Sequence, residues 1–239
     1  MARLACLCFL FVSAAAGAAH AQGLYLPNQT SGVGVAAAVD YNQDAFGLGL
    51  GGGYSYKAFI DGGAFVHRYG FSPNDPAVDV SAIAVQPYVN VHLLRQTDRI
   101  PVSLATHGSF QYRFYQTNAD NRDLSGWGFF LGGSTYRRFD ASDTTSVTPQ
   151  LALGYQFLHT NGATGLFKTE RNDGGFLVRV ATALAFHSGD GPIWGLNPFM
   201  TVDTNYVTFG LTFGATFPMK SAPPPAPATG PARPGEGVN

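Results

Sequence analysis

Residues 207–217 read VTFGLTFGATF, and their alternation is strict. Val207, Phe209, Leu211, Phe213, Ala215 and Phe217 fall on one parity; Thr208, Gly210, Thr212, Gly214 and Thr216 fall on the other. Successive side chains of a β-strand point to opposite faces, so this pattern predicts a strand lying between two different environments. A soluble, half-buried strand turns Lys, Glu or Arg toward water. Here the polar face carries only Thr and Gly. The bulky face is therefore expected to meet lipid, and the small polar face a narrow interior.

The rest of the chain carries the same imbalance. Charged residues make up 12% of it, against about 25% in ordinary soluble domains. Their place is taken by 30 glycines, by hydroxyl and amide residues, and by aromatics at 13%. Outside the N-terminus no run of about 18 apolar residues offers a membrane-spanning helix. A net charge of −1 with scattered Lys and Arg gives no basic stripe for nucleic acid, so no nucleic-acid partner is expected.

The first residues read as an export signal. Met1-Ala-Arg3 is a short positive region, residues 4–16 are apolar, and Ala19-His20-Ala21 forms an A-x-A cleavage site before Gln22. Residues 1–21 are thus expected to be a signal peptide cleaved after Ala21. Cys6 and Cys8 leave with it, and the mature chain of an exported protein then has no disulfide to stabilise it. Closing a sheet into a barrel is one alternative.

From Gly32 onward the alternation recurs in ten segments: 32–41, 45–56, 58–71, 77–94, 101–116, 125–139, 145–159, 174–187, 196–203 and 206–217. The expected fold is all-β, an antiparallel up-and-down transmembrane barrel of ten strands, with eight as the alternative, spanning residues 22–217. Segment 58–71 is ambiguous, because Asp61 and His67 share a parity with Phe59 and Phe65. Pro87, Pro149 and Pro198 are awkward within a ladder and suggest bulges. Long polar connections (72–77, 117–125 and 160–173) alternate with shorter turns, as in barrels whose short turns face the periplasm. Aromatics gather near strand ends as two interfacial girdles. Tyr41, Phe46, Tyr69, Phe71, Phe114, Trp127, Phe157, Phe176 and Tyr206 are expected toward the outer rim. Tyr54, Tyr56, Phe59, Phe139, Phe186, Trp194 and Phe217 are expected toward the inner one.

On these features the chain resembles the small outer-membrane β-barrel proteins of Gram-negative bacteria. The resemblance implies a place in the outer membrane with both termini periplasmic. It also implies contact with outer-membrane lipid and lipopolysaccharide, and insertion by the barrel-assembly machinery. In that family the last strand ends in an aromatic that the machinery reads, and Phe209, Leu211, Phe213 and Phe217 fit that signal. The family's aromatic is usually the final residue, whereas here 22 residues follow. That Pro-rich stretch, residues 218–239, is expected to be a disordered periplasmic tail. At ~3.1 Å per residue it reaches roughly 60–70 Å, enough for contact with the cell wall.

The interior of such a barrel should be filled by its own side chains, since wide channels need about sixteen strands. Gly49, Gly51 and Gly53 would leave room for larger neighbours. By parity His107, Gln111, Arg113 and Arg179 point inward, with Asp61 and Asp203 as candidate partners for the arginines. A charge at membrane depth must be paired or hydrated, so the two arginines are expected to form a plug with Asp61, filled out by Gln86, Gln111, Gln150 and Gln156. No metal-ligand cluster, nucleotide loop or cofactor motif is present, and a non-catalytic structural, adhesive or narrow-pore role is expected. The alternative is a hydrolase at the outer rim. His107-Gly-Ser109 resembles the His-x-Ser motif of outer-membrane lipid A deacylases, without the Asn that follows the Ser there. Asp75, Asp120, Asp123, His159 and Asp173 would supply the acid and His residues of an omptin-like protease, without that family's neighbouring pairs.

Overall fold

The computed structural model describes residues 21–43, 45–71, 80–117, 125–161, 163–164, 167–168, 171–189, 191–204 and 206–219. The signal-peptide residues up to 20 (Ala19 among them), most of the three long connections and the tail from 220 lie outside the described residues.

A short helix α1 (Ala21–Tyr25) precedes the strands. In chain order these are β1 (Ser31–Asn42), β2 (Ala45–Tyr56), β3 (Ile60–Phe71), β4 (Val80–Leu94), β5 (Ser103–Thr117) and β6 (Ser125–Tyr136). Next come the short β7 (Phe139–Ser142), β8 (Thr145–Asn161), β9 (Ala163–Thr164) and β10 (Phe167–Lys168). The long β11 (Arg171–His187), β12 (Ile193–Asp203) and β13 (Val207–Met219) complete the chain. β9 and β10 pair only with each other.

Ten long strands each pair antiparallel with their sequence neighbours, and β13 returns to pair with β1 from Ser31↔Met219 to Tyr41↔Phe209. The sheet is closed, and no long strand has a free edge. That is the one way a sheet can satisfy every backbone N–H and C=O inside hydrocarbon. The end that carries Ser31 and Met219 is called proximal below, and the opposite end distal.

Side-chain alternation sorts the surface as the sequence pattern predicts. Leu48, Leu50, Leu131, Leu153, Phe176 and Phe209 stand outward, with Phe176 77% and Leu50 70% exposed. Thr208, Thr212 and Thr216 on the other face of β13 are buried. The bulky stripe of β13 therefore lies outside, as its alternation predicts. β3 resolves too: Asp61, Phe65, His67, Tyr69 and Phe71 face inward, and Phe59 stays exposed in the preceding turn.

Three expectations are corrected. Tyr69, Phe71 and Tyr206 sit at the distal end, but inside the barrel rather than in the outer girdle, where they pack with Ala45, Ala82 and Ala84. The three prolines shift no register: Ala64 pairs with Pro87, Thr182 with Pro149 and Pro198 with Leu211. The irregularity on β4 lies instead between His92 and Leu94. The predicted segment 125–139 breaks at Tyr136. Arg137 and Arg138 turn there, with Arg137 over the Phe139 ring and Arg138 Nε donating to Asp140 Oδ1 at 2.8 Å, and β7 folds back onto β8.

Candidate functional site

The interior of the barrel is the candidate site, and its residues arrange in layers. Glycines on one strand make sockets for rings on another. A Cβ at Gly49 would strike His67, one at Gly51 would strike Phe65, and one at Gly210 would strike Phe199. The GLGLGGG run of β2 is therefore the concave half of an interlock whose convex half is β3. Phe65, His67 and Tyr69 stack along β3 with centroids 5.6 Å apart at each step, and Tyr88 leans on Phe65 at 6.0 Å. Both His67 ring nitrogens are buried without a hydrogen bond, so this imidazole serves as a flat ring in a stack.

All five residues expected in the lumen network are buried: Asp61, His107, Gln111, Arg113 and Arg179. The structure distributes them over three places. Arg113 lies toward the distal end, where its Nε donates to Gln111 Oε1 at 2.7 Å and its guanidinium sits 5.8 Å from the Tyr69 ring. Arg179 lies flat over Phe199, its Cζ 3.7 Å from the ring centroid, and none of its three nitrogens meets a hydrogen-bond acceptor. The carboxylate that interacts electrostatically with both arginines is Asp40 on β1. The expected partner, Asp61, is at the other end. The reason is depth: Asp61 is the second residue of β3, whereas Arg113 lies ten residues into β5. Gln86 and Gln156 serve other partners, Gln86 Nε2 donating to Ser109 Oγ at 3.0 Å and Gln156 Nε2 reaching Asp203 at 3.5 Å.

His107 belongs to a middle layer. Its Nε2 is 2.7 Å from Ser134 Oγ and its Nδ1 is 3.0 Å from Asn90 Oδ1. His107 and Ser109, neighbours of one parity on β5, project side by side, and each finds a partner on an adjacent strand, Ser134 and Gln86 respectively. A cavity of about 10 Å³ lies against this layer, lined by Leu24, Asn90, His92, His107, Ser134, Tyr136 and Gln150. Of the omptin-like set, Asp75, Asp120 and Asp123 lie outside the described residues. His159 packs against Trp127 at 5.4 Å, on the outward-facing side of β8.

The proximal mouth is closed by α1 and the residues that follow it. α1 touches β1, β2, β3, β11, β12 and β13, so it lies within the ring of strands. Tyr25 rests over Gly195, and Tyr25 and Leu26 pack with Ala58, Ala183, Ala185 and Ile193. Burial pushes the Tyr25 hydroxyl's pKa upward. Leu24 packs with Ala105 and Tyr136. Arg95 binds the segment by its backbone. Its Nη1 donates to Gly23 O at 2.9 Å, its Nη2 to Leu26 O at 2.9 Å and its Nε to Asn28 Oδ1 at 2.8 Å. Asp61 accepts from the Gly23 amide at 3.2 Å and from His92 at 2.9 Å, and His92 Nδ1 meets the Tyr136 hydroxyl at 2.7 Å. Beside this plug a cleft of about 450 Å³ opens between Pro27, Gln96, Pro101 and Arg137.

Sequence reasoning missed Asp40 and the whole proximal plug. Asp40 shares a parity with Ala36 and Ala38 on β1, so its inward position was available but not its importance. The signal for the plug is the triplet Leu24-Tyr25-Leu26, three large apolar residues ahead of any strand with no lipid face to occupy. No group of His, Cys, Asp or Glu among the described residues is arranged to hold a metal ion.

No protein-family model and no curated protein matches this sequence. Solved structures do. The translocator domain of autotransporter NalP from Neisseria meningitidis aligns over 82% of this chain and 90% of its own, with a TM-score of 0.57 and 10% identity. The beta domain of the Bordetella autotransporter BrkA aligns over 78% and 98%, with a TM-score of 0.49 and 13% identity. Ail, the attachment invasion locus protein of Yersinia pestis, aligns over 81% and 100%, with a TM-score of 0.35 and 11% identity. At such identities the likeness is one of fold, and the NalP alignment is the one that carries it.

Proposed function

We propose that the protein is a non-catalytic outer-membrane barrel, sealed along its length, that acts structurally or adhesively through its distal loops. In this reading the signal peptide is removed after Ala21, the proximal end with both termini faces the periplasm, and loops 72–77, 117–125 and 160–173 face outward. Lipid and lipopolysaccharide surround the apolar stripe, and the Pro-rich tail lies toward the cell wall. One observation carries the proposal: among the described residues, rings, arginines and α1 occupy the bore, and the cavity beside its middle layer holds about 10 Å³. That is scarcely one water molecule.

Planar-bilayer recording tests it. The wild type should show no steady conductance. Replacing Arg113 and Arg179 together with Ser should not open a pore either, because Phe65, Tyr88, Phe130 and α1 still block the bore. Steady conductance of the wild type would overturn the sealed-lumen reading.

A second reading has one observation in its favour. Ser134, His107 and Asn90 stand in a hydrogen-bonded line, the order of a nucleophile, its base and an orienting group. The line is buried behind Leu24 with no space for a substrate. A fluorophosphonate probe should therefore leave Ser134 unlabelled in the intact protein. Labelling that disappears in His107→Ala would favour the hydrolase.

A further inference from the structure

Asp61 is a carboxylate with unused capacity. It is fully buried, and its Oδ1 accepts no hydrogen bond. Its Oδ2 takes His92 Nε2 and the Gly23 amide. Of the other polar groups around it, the Tyr136 hydroxyl is committed to His92 and Arg95 to Gly23 O, Leu26 O and Asn28, while the buried Ser55 hydroxyl opposite it on β2 makes no hydrogen bond. Among the described residues Asp61 therefore pairs with no permanent cation, only with an imidazole that is charged when protonated. Such a carboxylate is costly to bury without a further partner.

The chain itself brings one close. A Cβ built on Gly23 would lie 2.6 Å from both carboxylate oxygens, so the backbone at residue 23 is pressed against them. One residue earlier, ~3.8 Å along the chain, is Gln22. It is the residue that cleavage at the A-x-A site leaves first. Hydrolysis of the Ala21–Gln22 bond adds water across it, leaving a carboxylate on Ala21 and a protonated primary amine on Gln22. A neutral amide becomes an ammonium with three donors, within the ~4–6 Å over which opposite charges couple strongly.

We propose that Asp61 is the receptor for the α-ammonium that signal-peptide removal creates at Gln22, so that the proximal plug locks only on the processed chain. This rests on cleavage before Gln22. Before processing, residue 22 offers a neutral amide, and 21 more residues must leave through the same mouth. After processing, Oδ1 gains its donor and α1 is held at its first residue as well as at Gly23, Leu26 and Asn28. Capture of an N-terminal amine is a recurring mode of peptide recognition. Here it also shields Gln22 from cyclising with loss of ammonia, which would erase the charge.

The mature protein extracted from membranes tests this in two steps. Intact mass should show a chain beginning at Gln22 with an unmodified amine; another start, or a cyclised one, overturns the proposal by removing its premise. The amines are then ¹³C-methylated in denaturant, and the refolded protein is titrated by NMR in micelles. The α-ammonium should hold its proton about tenfold more tightly than in the denatured chain, and Asp61→Asn should abolish the difference. An unshifted amine in the wild type overturns the proposal. A second variant keeps Asp61 and inserts Ala-Ala before Gln22. Chymotryptic clipping after Tyr25 should rise about tenfold, matching the lost factor in proton affinity. Equal clipping of this chain and the wild type also overturns it.

Discussion

Asp40 holds a disproportionate share of the electrostatics of this barrel. It is the carboxylate that both lumen guanidiniums feel, and Arg179 has no hydrogen-bonding alternative. Among the described residues no guanidinium is seen to bridge Asp40 directly, but loss of the carboxylate removes a counter-charge that both share, whereas loss of Arg179 removes no hydrogen bond and leaves Arg113 to interact with Asp40. Asp40→Asn should therefore lower the temperature at which the folded band is lost on unboiled gels. Arg179→Met should stay within about 1 kcal/mol of wild type, its thioether resting on Phe199 as the guanidinium does. Combining the two should recover much of what Asp40→Asn loses. Parity alone placed His107, Gln111, Arg113 and Arg179 inside, because a two-residue period says which face a residue takes. It does not say how deep the residue lies, and depth decides which charges meet. Hence Arg113 was matched with a carboxylate at the wrong end.

The turn between β2 and β3 shows an element accepting strain for a contact. Lys57 and Ala58 both have positive φ, 52° and 51°, and the Phe59 amide donates to Tyr56 O at 2.8 Å. Such two-residue hairpin turns favour Asn and Gly at these positions, and an ordinary residue there costs about 1–2 kcal/mol. Ala58 is nevertheless almost fully buried, its methyl packed in the cluster that contains Tyr25 and Leu26. Ala58→Gly should relieve about 1 kcal/mol of strain and leave barrel melting unchanged or raised. Protease clipping within residues 22–28 should meanwhile increase several-fold. β13 makes the opposite kind of prediction, since its outward Phe209, Leu211, Phe213 and Phe217 are exposed and hold little of the interior together. If they are the assembly signal, Phe217→Ala should lower barrel yield in the membrane, and deleting 221–239 should leave insertion intact. Membrane fractionation with heat-modifiable mobility reads both. The strands themselves were legible to within a few residues, because lipid outside and packed side chains inside reward strict alternation. α1 was not, since five residues show no helical period.

At the scale of the whole molecule, a barrel can be read from sequence because its two faces meet media of opposite polarity, whereas the seals at its ends are tertiary. The distal apolar cluster draws on β2, β3, β4 and Tyr206, and the proximal plug draws on the β2–β3 turn, the end of β11 and the start of β12. Neither leaves a periodic trace. The seam between β1 and β13 has a kinetic meaning as well. Val33 pairs with Phe217, a contact between residues on the order of 180 positions apart, and contacts of long sequence separation form late and slowly. β1 reaches that seam with Gly32, Gly34, Ala36, Ala37 and Ala38, small groups that bring little burial to the pairing. Closure must wait until the last strand has arrived, and β1 brings mostly small side chains to the zip it completes. Hydrogen exchange should find the β1–β13 amides opening ahead of the β8–β11 amides, which makes this junction the natural place for the barrel to part when it is inserted, unfolded or turned over.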